Sequence, residues 1–227
     1  AITEAPLSAV DVRRESSRTD RFLVRGAKAV AAGDMLGGKL CISSRPLQTN
    51  CEALEGFFVI ELEEQVIPDD FISMLQDQEL EIYPDSRLSF ASADSVAEEN
   101  AVPNTPGLEE MPTAAREADG GEGVLIALLD NGVDIFHKDL QGHLTDGWDV
   151  YHDSANTAAD GATFGQAHGT HIAGIIASVA PGARIMPVQI SEYGVAYVST
   201  VIEGIRYAED QGAMLANCSW TTEEYSP

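Results

Sequence analysis

The sequence has few basic residues and lacks a long apolar run. Lysine and arginine number 13 against 37 aspartates and glutamates, so the formal net charge is −24. Such a charge repels phosphates and argues against binding to nucleic acid or to an anionic membrane surface. No stretch of about eighteen apolar residues occurs, so no transmembrane helix is predicted. No basic segment followed by an apolar core marks a signal peptide either.

Cysteines are also scarce, and three of them are too few for a disulfide framework. Cys41 and Cys51 flank a short segment, and the sequence is equally compatible with a local bridge and with two free thiols. Cys218 lies in an apolar run and is interpreted as a small buried residue. Since no arrangement of histidine and asparagine around Cys218 suggests a thiol protease, a nucleophilic role for this thiol is not predicted.

Composition and periodicity divide the chain into four segments. Residues 1–20 are polar and are predicted to be a flexible lead-in. Residues 21–92 alternate strand and helix patterns and are predicted to form a small α+β domain. Residues 93–112 are acidic and contain prolines, which is typical of a linker. Within the α+β segment, strands are expected at 21–25, 56–62, 80–83 and 87–90, and helices at 27–35 and from Pro68 onwards.

Residues 113–227 have the pattern of an α/β domain. The continuous apolar run 124–129 is expected of a strand that is buried on both faces of a parallel sheet. Further core strands are predicted at 183–190 and 213–219, a buried helix at 171–180 and an amphipathic helix at 198–211. This alternation predicts a doubly wound parallel sheet. A nucleotide-binding domain is excluded because no glycine-rich phosphate loop follows a strand.

Asp130 stands at the carboxyl end of the run 124–129 and precedes a glycine turn. Ligands and catalytic groups of open α/β sheets collect at the carboxyl ends of the strands. Taken alone, Asp130 is better explained by a role in capping the following turn.

His168 begins the segment His-Gly-Thr-His-Ile-Ala-Gly, where a histidine at the start of a small-residue helix can project into a cleft. One alternative is a helix-capping histidine. Another is a metal pair with His171, for which His152 and Asp160 are the nearest further ligands, but the spacing forms no compact metal motif.

Together the two residues have a chemical mechanism. An aspartate can bond one imidazole nitrogen and stabilise the imidazolium, while the other nitrogen removes a proton from a serine hydroxyl. The chain order of aspartate, histidine and a later serine is the order found in subtilisin.

These segments resemble the subtilase family of serine proteases. The stretch 127–134, Ala-Leu-Leu-Asp-Asn-Gly-Val-Asp, is similar to the family's aspartate motif, and 168–174 to its histidine motif. The following 137–140 resembles the family's His-Pro-Asp-Leu, with Lys138 in place of proline. The segment 217–220, Asn-Cys-Ser-Trp, resembles Asn-x-Ser-Leu, with Trp220 in place of leucine.

The resemblance implies an α/β fold of subtilisin type, incomplete in this chain, and peptide-bond hydrolysis with Asp130 and His168 as catalytic residues. It implies peptide contacts from a cleft edge strand and a cleft wall, formed by Gly194, Val195, Ala196, Ser219 and Trp220. The segment 21–92 resembles a subtilase propeptide, whose last residues lie in the cleft as a product-like inhibitor. Processing is then expected between about Phe90 and Asp94, in a secreted or extracytoplasmic protein.

The family's nucleophilic serine and oxyanion asparagine belong to motifs that this sequence does not contain. We expect them on a second chain, the C-terminal half of the same protease, and expect this chain alone to be inactive. The alternative is an inactive pseudoprotease or an inhibitory, regulatory fragment. No cofactor and no metal are predicted. Asp139 matches a calcium ligand of the family, but the partner loop is missing, so calcium is not assigned.

Overall fold

A computed structural model describes residues 18–90, 120–158 and 168–221. The chain divides into two compact units, and the division falls between Ser86 and Arg87. The predicted linker 93–112 lies outside the described residues, as does most of the predicted lead-in. Among the described residues, no helix is long and apolar enough to cross a membrane.

The first unit is built on a five-stranded sheet with the strand order β2-β3-β4-β1-β5. Each strand pairs with its neighbours in antiparallel fashion. The strands are β1 (Thr19–Arg25), β2 (Met35–Leu36), β3 (Lys39–Pro46), β4 (Phe58–Val66) and β5 (Glu81–Pro84). Helix α1 (Pro68–Met74) follows β4, with Pro68 in its first turn and two aspartates at its positive end.

The core of this unit lies between one face of the sheet and α1. Alternate residues of β1, Phe22 and Val24, point to the same face as Ile60 of β4, in keeping with the two-residue period of a strand. The ring of Phe71 from α1 lies 4.9 Å from that of Phe22. Burial of each such large side chain contributes about 1.5–3 kcal/mol. The unit therefore has an apolar core of its own.

The sequence predictions for this unit differ from the structure in several places. The alanine-rich stretch 27–35 forms turns instead of a helix, because the amide of Ala31 bonds to the side chain of Asp34 and Gly33 takes a left-handed φ of 97°. Strand β3 was not predicted, since its serines and arginine hide the apolar pattern. The predicted lead-in is also too long by two residues, since β1 begins at Thr19.

The cysteine question is answered in favour of free thiols. Cys41 is buried and Cys51 is exposed, and neither forms a disulfide. Burial raises the pKa of the Cys41 thiol above its ordinary value. Cys218, expected to be buried, is instead exposed.

In its described residues, the second unit contains two four-stranded sheets, two α-helices and the short 3-10 helix Lys138–Leu140. Its strands are β6 (Arg87–Phe90), β7 (Leu125–Asp130), β8 (Trp148–Asp149), β9 (Arg184–Gln189), β10 (Ser191–Glu192), β11 (Val195–Tyr197), β12 (Leu215–Cys218) and β13 (Trp220–Thr221). Its helices are α2 (His168–Val179) and α3 (Val198–Asp210). One sheet has the order β12-β7-β9-β8 with parallel pairs, and the other has the order β10-β11-β6-β13 with antiparallel pairs.

The parallel sheet is covered on both faces, as the doubly wound prediction requires. Leu128 of β7 packs in one cluster with Ala173 of α2. Its neighbour Leu129 points the other way and packs with Val201 and Ala208 of α3. Because successive residues of a strand face opposite sides, the two helices lie on opposite faces of the sheet.

Two elements are less buried than the sequence suggested. Leu215 at the start of β12 is 58% exposed and the preceding Met214 is 67% exposed. The reason is that β12 is an edge strand, which pairs with β7 alone among the described residues. Helix α2 buries only one side, and its Ile175 is 42% exposed.

Candidate active site

The site begins with Asp130, the last residue of β7. Its carboxylate is buried, and Oδ1 accepts a hydrogen bond of 2.8 Å from the backbone amide of Asn131. The parallel pairing of β7 with β9 and β12 fixes the direction in which the strand ends. Asp130 is therefore a carboxylate held rigidly at the carboxyl edge of the sheet.

His168, the first residue of α2, meets this carboxylate. Its Nδ1 lies 2.8 Å from Asp130 Oδ1 and 2.9 Å from Oδ2. Gly169 makes the approach feasible, because a Cβ there would lie 2.2 Å from the carbonyl oxygen of Gly132. The Asn131 side chain anchors the helix start by accepting a bond of 3.0 Å from the Gly169 amide.

The electrostatics of the pair favour a charged histidine. The hydrogen bond to Asp130 raises the pKa of His168 above its ordinary value, while burial opposes the shift. A ring that donates Nδ1–H to a carboxylate is held in the tautomer whose Nε2 carries the lone pair. His168 can therefore act as a base at Nε2 and, once protonated, is stabilised by Asp130.

An extended segment lies beside this pair. Strand β6 is paired on one side with β11, where Leu88 is opposite Ala196, and on the other side with β13, where Phe90 is opposite Trp220. The ring of Phe90 is 5.7 Å from that of His168. The groove between β11 and β13 is thus filled by an extended segment of the chain itself, which passes next to the histidine.

The predicted peptide-contacting residues surround this groove. Gly194 occupies the turn before β11, and Val195 and Ala196 belong to β11 itself. Trp220 begins β13, and Ser219 precedes it with its hydroxyl accepting a bond of 2.9 Å from Asn217 Nδ2. The roles of these residues as substrate contacts remain predictions.

The residues of the metal alternative at His168 are found in the following places. In the described part of the chain, no group of three or more histidine, cysteine, aspartate or glutamate side chains is placed to hold a metal ion. His171 is exposed on α2, and Asp160 lies outside the described residues. The side chain of Asp139 is 69% exposed.

A second histidine pair was not predicted from the sequence. Nδ1 of His152 lies 2.7 Å from Oδ2 of Asp149, the last residue of β8, and Nε2 lies 3.1 Å from Oε1 of Glu192 on β10. The sequence carries no signal comparable to that of Asp130, since Thr145, Asp146 and Gly147 come shortly before Asp149 instead of an apolar run. The link to Glu192, forty residues away, could not be seen without the fold.

Known proteins resemble this chain in the region of the site. The model of the subtilase family, Peptidase_S8, matches residues 121–227. Fervidolysin from Fervidobacterium pennivorans is 37% identical over 126 residues, which cover 48% of this chain and 18% of fervidolysin. Thermitase from Thermoactinomyces vulgaris is 38% identical over 110 residues, which cover 44% of this chain and 38% of thermitase.

A solved structure resembles more of the chain. The crystal structure of fervidolysin, described as a keratinolytic enzyme related to subtilisin, matches with a TM-score of 0.61 at 21% sequence identity. The match covers 92% of this chain and 37% of the fervidolysin chain. At this identity the likeness shows the fold.

The parallel α/β sheet with an Asp–His pair at its carboxyl edge defines a subtilisin-like unit. Residues 121–227 match the model of the subtilase family, and the relatives that this part of the chain resembles are subtilisin-like proteases. The chain spans at most 38% of the length of fervidolysin and thermitase.

Proposed function

We propose that this chain supplies the aspartate and the histidine of an Asp–His–Ser serine endopeptidase. Asp130 orients His168, and Nε2 of His168 takes the proton of the serine hydroxyl and returns it to the leaving amine. The observation that carries this proposal is the pair of contacts of 2.8 and 2.9 Å between His168 Nδ1 and the Asp130 carboxylate.

The nucleophilic serine and the oxyanion asparagine are supplied by the C-terminal segment of the same protease, docked as a second chain. The support is the free edge of β12, where Met214 and Leu215 are largely exposed and no described strand pairs on the outer side. Apolar strand edges of this kind are normally covered in a folded protein. Without the serine and the oxyanion donor, this chain alone has no meaningful activity.

The substrate is a peptide or a protein that binds in extended form. Strand β6 supports this, since its backbone pairs with β11 and β13 as an inserted peptide would. Gly194, Val195 and Ala196 then contact the substrate backbone on one side. Ser219 and Trp220 contact it on the other side.

The segment 21–92 acts as a propeptide of a secreted or extracytoplasmic zymogen. Its last described strand, β6, occupies the groove and places Phe90 beside the catalytic histidine. Autoprocessing at a bond between Phe90 and Asp94 would leave β6 in the groove as a product-like inhibitor. Leu88 anchors it, because this side chain is buried in the apolar core of the second unit.

The same occupied groove favours a second candidate function. A chain that fills its own peptide site with β6 has the geometry of an inhibitory or regulatory fragment, or of a pseudoprotease. The two functions differ in one respect, since only the protease requires a serine-bearing partner.

The first experiment asks whether that partner exists. The purified protein is denatured, the mass of every chain is measured, and the native sample is treated with a fluorophosphonate probe. A labelled second chain is expected from the protease. Labelling should be lost with His168→Ala and kept with His171→Ala, a matched change of an exposed histidine one turn along α2. An unlabelled sample with this chain alone would favour the inhibitory fragment.

The second experiment tests the propeptide. Residues 1–92 are added to a mature subtilisin-like protease, with circular dichroism as a check on folding, and the inhibition constant is measured. Leu88→Asp should weaken inhibition about a hundredfold, because it buries an unpaired charge. Ser89→Asp places the same charge on the exposed neighbouring position and should have little effect. Equal inhibition by the two variants would contradict the proposed role of β6.

A further inference from the structure

His152 joins two parts of the second unit that are distant in sequence. Its ring lies between Asp149, at the end of β8, and Glu192, on β10. Asp149 is a fixed anchor, because it is buried and its Oδ1 accepts the backbone amides of Tyr151 and His152 at 3.0 Å each. The Glu192 end of the connection is more open, since this side chain is 39% exposed.

The geometry requires a protonated imidazole. A carboxylate only accepts hydrogen bonds, so contacts of both ring nitrogens with carboxylates need a hydrogen on each nitrogen. That is the imidazolium form. The neutral ring has one N–H and can satisfy only one of the two partners.

Glu192 is directly connected to the peptide groove. It pairs with Val195 across the β10–β11 hairpin, and Val195 pairs in turn with Ser89 of β6. The hairpin turn consists of Tyr193 and Gly194, both with positive φ, at 49° and 78°. Such a turn suits a two-residue hairpin, but it costs free energy at Tyr193, which has a side chain. A contact that holds Glu192 therefore helps to hold β11.

We propose that His152 is a positioning residue of the peptide groove, whose imidazolium fastens the β10–β11 hairpin to β8 and releases it on losing a proton. The identification of β11 as the substrate strand rests on the proposed protease function. The fastening itself does not depend on that function. The contact acts through Glu192 and touches no peptide directly.

The charged surroundings of His152 determine the direction of the effect. Asp149 faces the ring from β8 and Glu192 from β10, while Tyr151 of the same loop lies 5.1 Å away, centroid to centroid. Tyr193 lines the small polar pocket beside the ring, and Asp153 is next in the chain. Among these groups the negative charges dominate, so the protonated ring is favoured and the proton is lost only as the pH rises.

The pKa of His152 is shifted in the direction that this arrangement requires. The hydrogen bond to Asp149 and then that to Glu192 raise the pKa of His152 above its ordinary value, with burial opposing. The groove should therefore be held firmly in acidic solution. It should loosen as the pH rises through the raised pKa.

The test measures hydrogen exchange by NMR on the chain 1–227, corrected for the intrinsic pH dependence of exchange. Protection of the amides in 191–197 should fall about threefold to fivefold between about pH 5.5 and about pH 9, the range expected for a partly exposed ion pair. His152→Gln should show, at every pH, the reduced protection that the wild-type chain shows at alkaline pH. His152→Lys, which keeps its charge, should make protection independent of pH over most of this range and restore part of it.

His143→Gln is the matched control, since it changes a partly exposed histidine outside the cluster and should behave as wild type. A wild-type chain with pH-independent protection, or a His152→Gln chain with wild-type protection, would overturn the proposal. Because no proteolysis is measured, these results are distinct from a failure of the protease function. An assembled protease that is inactive but keeps the pH response of the hairpin would refute only the proposed protease function.

Discussion

Two aspartate–histidine pairs in the second unit have the same contact at Nδ1 of the ring and differ in the contact at Nε2. In each, Nδ1 of the ring meets a buried aspartate at the carboxyl end of a parallel strand, Asp130 on β7 and Asp149 on β8. In both the aspartate raises the pKa of the histidine. The difference lies at Nε2, which in His152 contacts Glu192.

The contact at Nε2 distinguishes His152, whose ring is held between two carboxylates, from His168, which is the candidate base. Glu192 occupies Nε2 of His152, so the ring can only hold a proton between two carboxylates. In His168, Asp130 is the carboxylate bonded to the ring in the described part of the chain, and the Phe90 ring lies nearby. The pairing of an aspartate with a histidine is therefore a weak signal by itself. The informative feature is what the second ring nitrogen faces.

The largest difference between the pairs should appear in catalysis. In the assembled protease, Asp130→Asn should lower kcat by about ten-thousandfold, because the amide favours the wrong tautomer and does not stabilise the imidazolium. Asp149→Asn is the matched change in the other pair. It should act mainly on KM, through the position of β11, and lower kcat by less than about tenfold.

Steady-state kinetics on one peptide substrate give both constants. Comparable losses of kcat in the two variants would show that the comparison of the pairs is wrong. A normal kcat for Asp130→Asn would remove Asp130 from the proposed triad.

The second largest difference concerns the space for a side chain at two glycines of α2, Gly169 beside the Asp130–His168 pair and Gly174 away from it. Gly169→Ala should destabilise the second unit by about 1–3 kcal/mol, because the new methyl group would overlap the Gly132 carbonyl and press on Asp130. Gly174→Ala in the same helix meets nothing within 4 Å and should be neutral or stabilising by up to about 1 kcal/mol. Urea unfolding monitored by tryptophan fluorescence reports on the second unit alone, since both tryptophans, Trp148 and Trp220, lie in that unit. Equal stabilities would mean that helix α2 can shift to accept the methyl group.

The third difference is the pH at which each ring titrates. Asp130→Asn should lower the pKa of His168 and leave that of His152 unchanged. Glu192→Gln should lower the pKa of His152 and leave that of His168 unchanged. Since a general base must be neutral to act, activity should rise with pH through the pKa of His168. NMR titration of the histidine ring protons in each variant measures both values. A shift of both histidines by either change would indicate that the two pairs are coupled.

Much of the fold could be predicted because local patterns agree with it. The apolar run before Asp130, the amphipathic pattern of α3 and the proline at the start of α1 each predict their element directly. The stretch 27–35 failed because helix propensity is weak evidence where tertiary bonds, such as that of the Gly33 amide to the Cys41 carbonyl, fix a turn. The prediction that β12 is a buried core strand failed because a sequence does not reveal which strand lies at the edge of a sheet.

The candidate site was predictable in part for a similar reason. Asp130 and His168 stand in motifs that resemble a known family, and the structure brings them together. The cluster around His152 has no motif, because Glu192 reaches it only through the pairing of β8 with β9 and the turn into β10. Contacts of this kind depend on the sheet order, which is a tertiary property.

The smallest expected effect is the contribution of His152 to stability. Because its pKa is raised on folding, the stabilisation is fully present below the unfolded value of about 6.5 and is lost as the pH rises through the folded value. The side chain is 44% exposed. Solvent screening therefore limits the effect to less than about 1 kcal/mol. The gap in unfolding free energy between wild type and His152→Gln should thus be largest near about pH 6 and should close at alkaline pH, as urea unfolding with tryptophan fluorescence can measure. His143→Gln should show no such closing gap. A gap that stays constant with pH would mean that His152 stabilises the hairpin by packing, and the contrast with His168 would then not be one of charge.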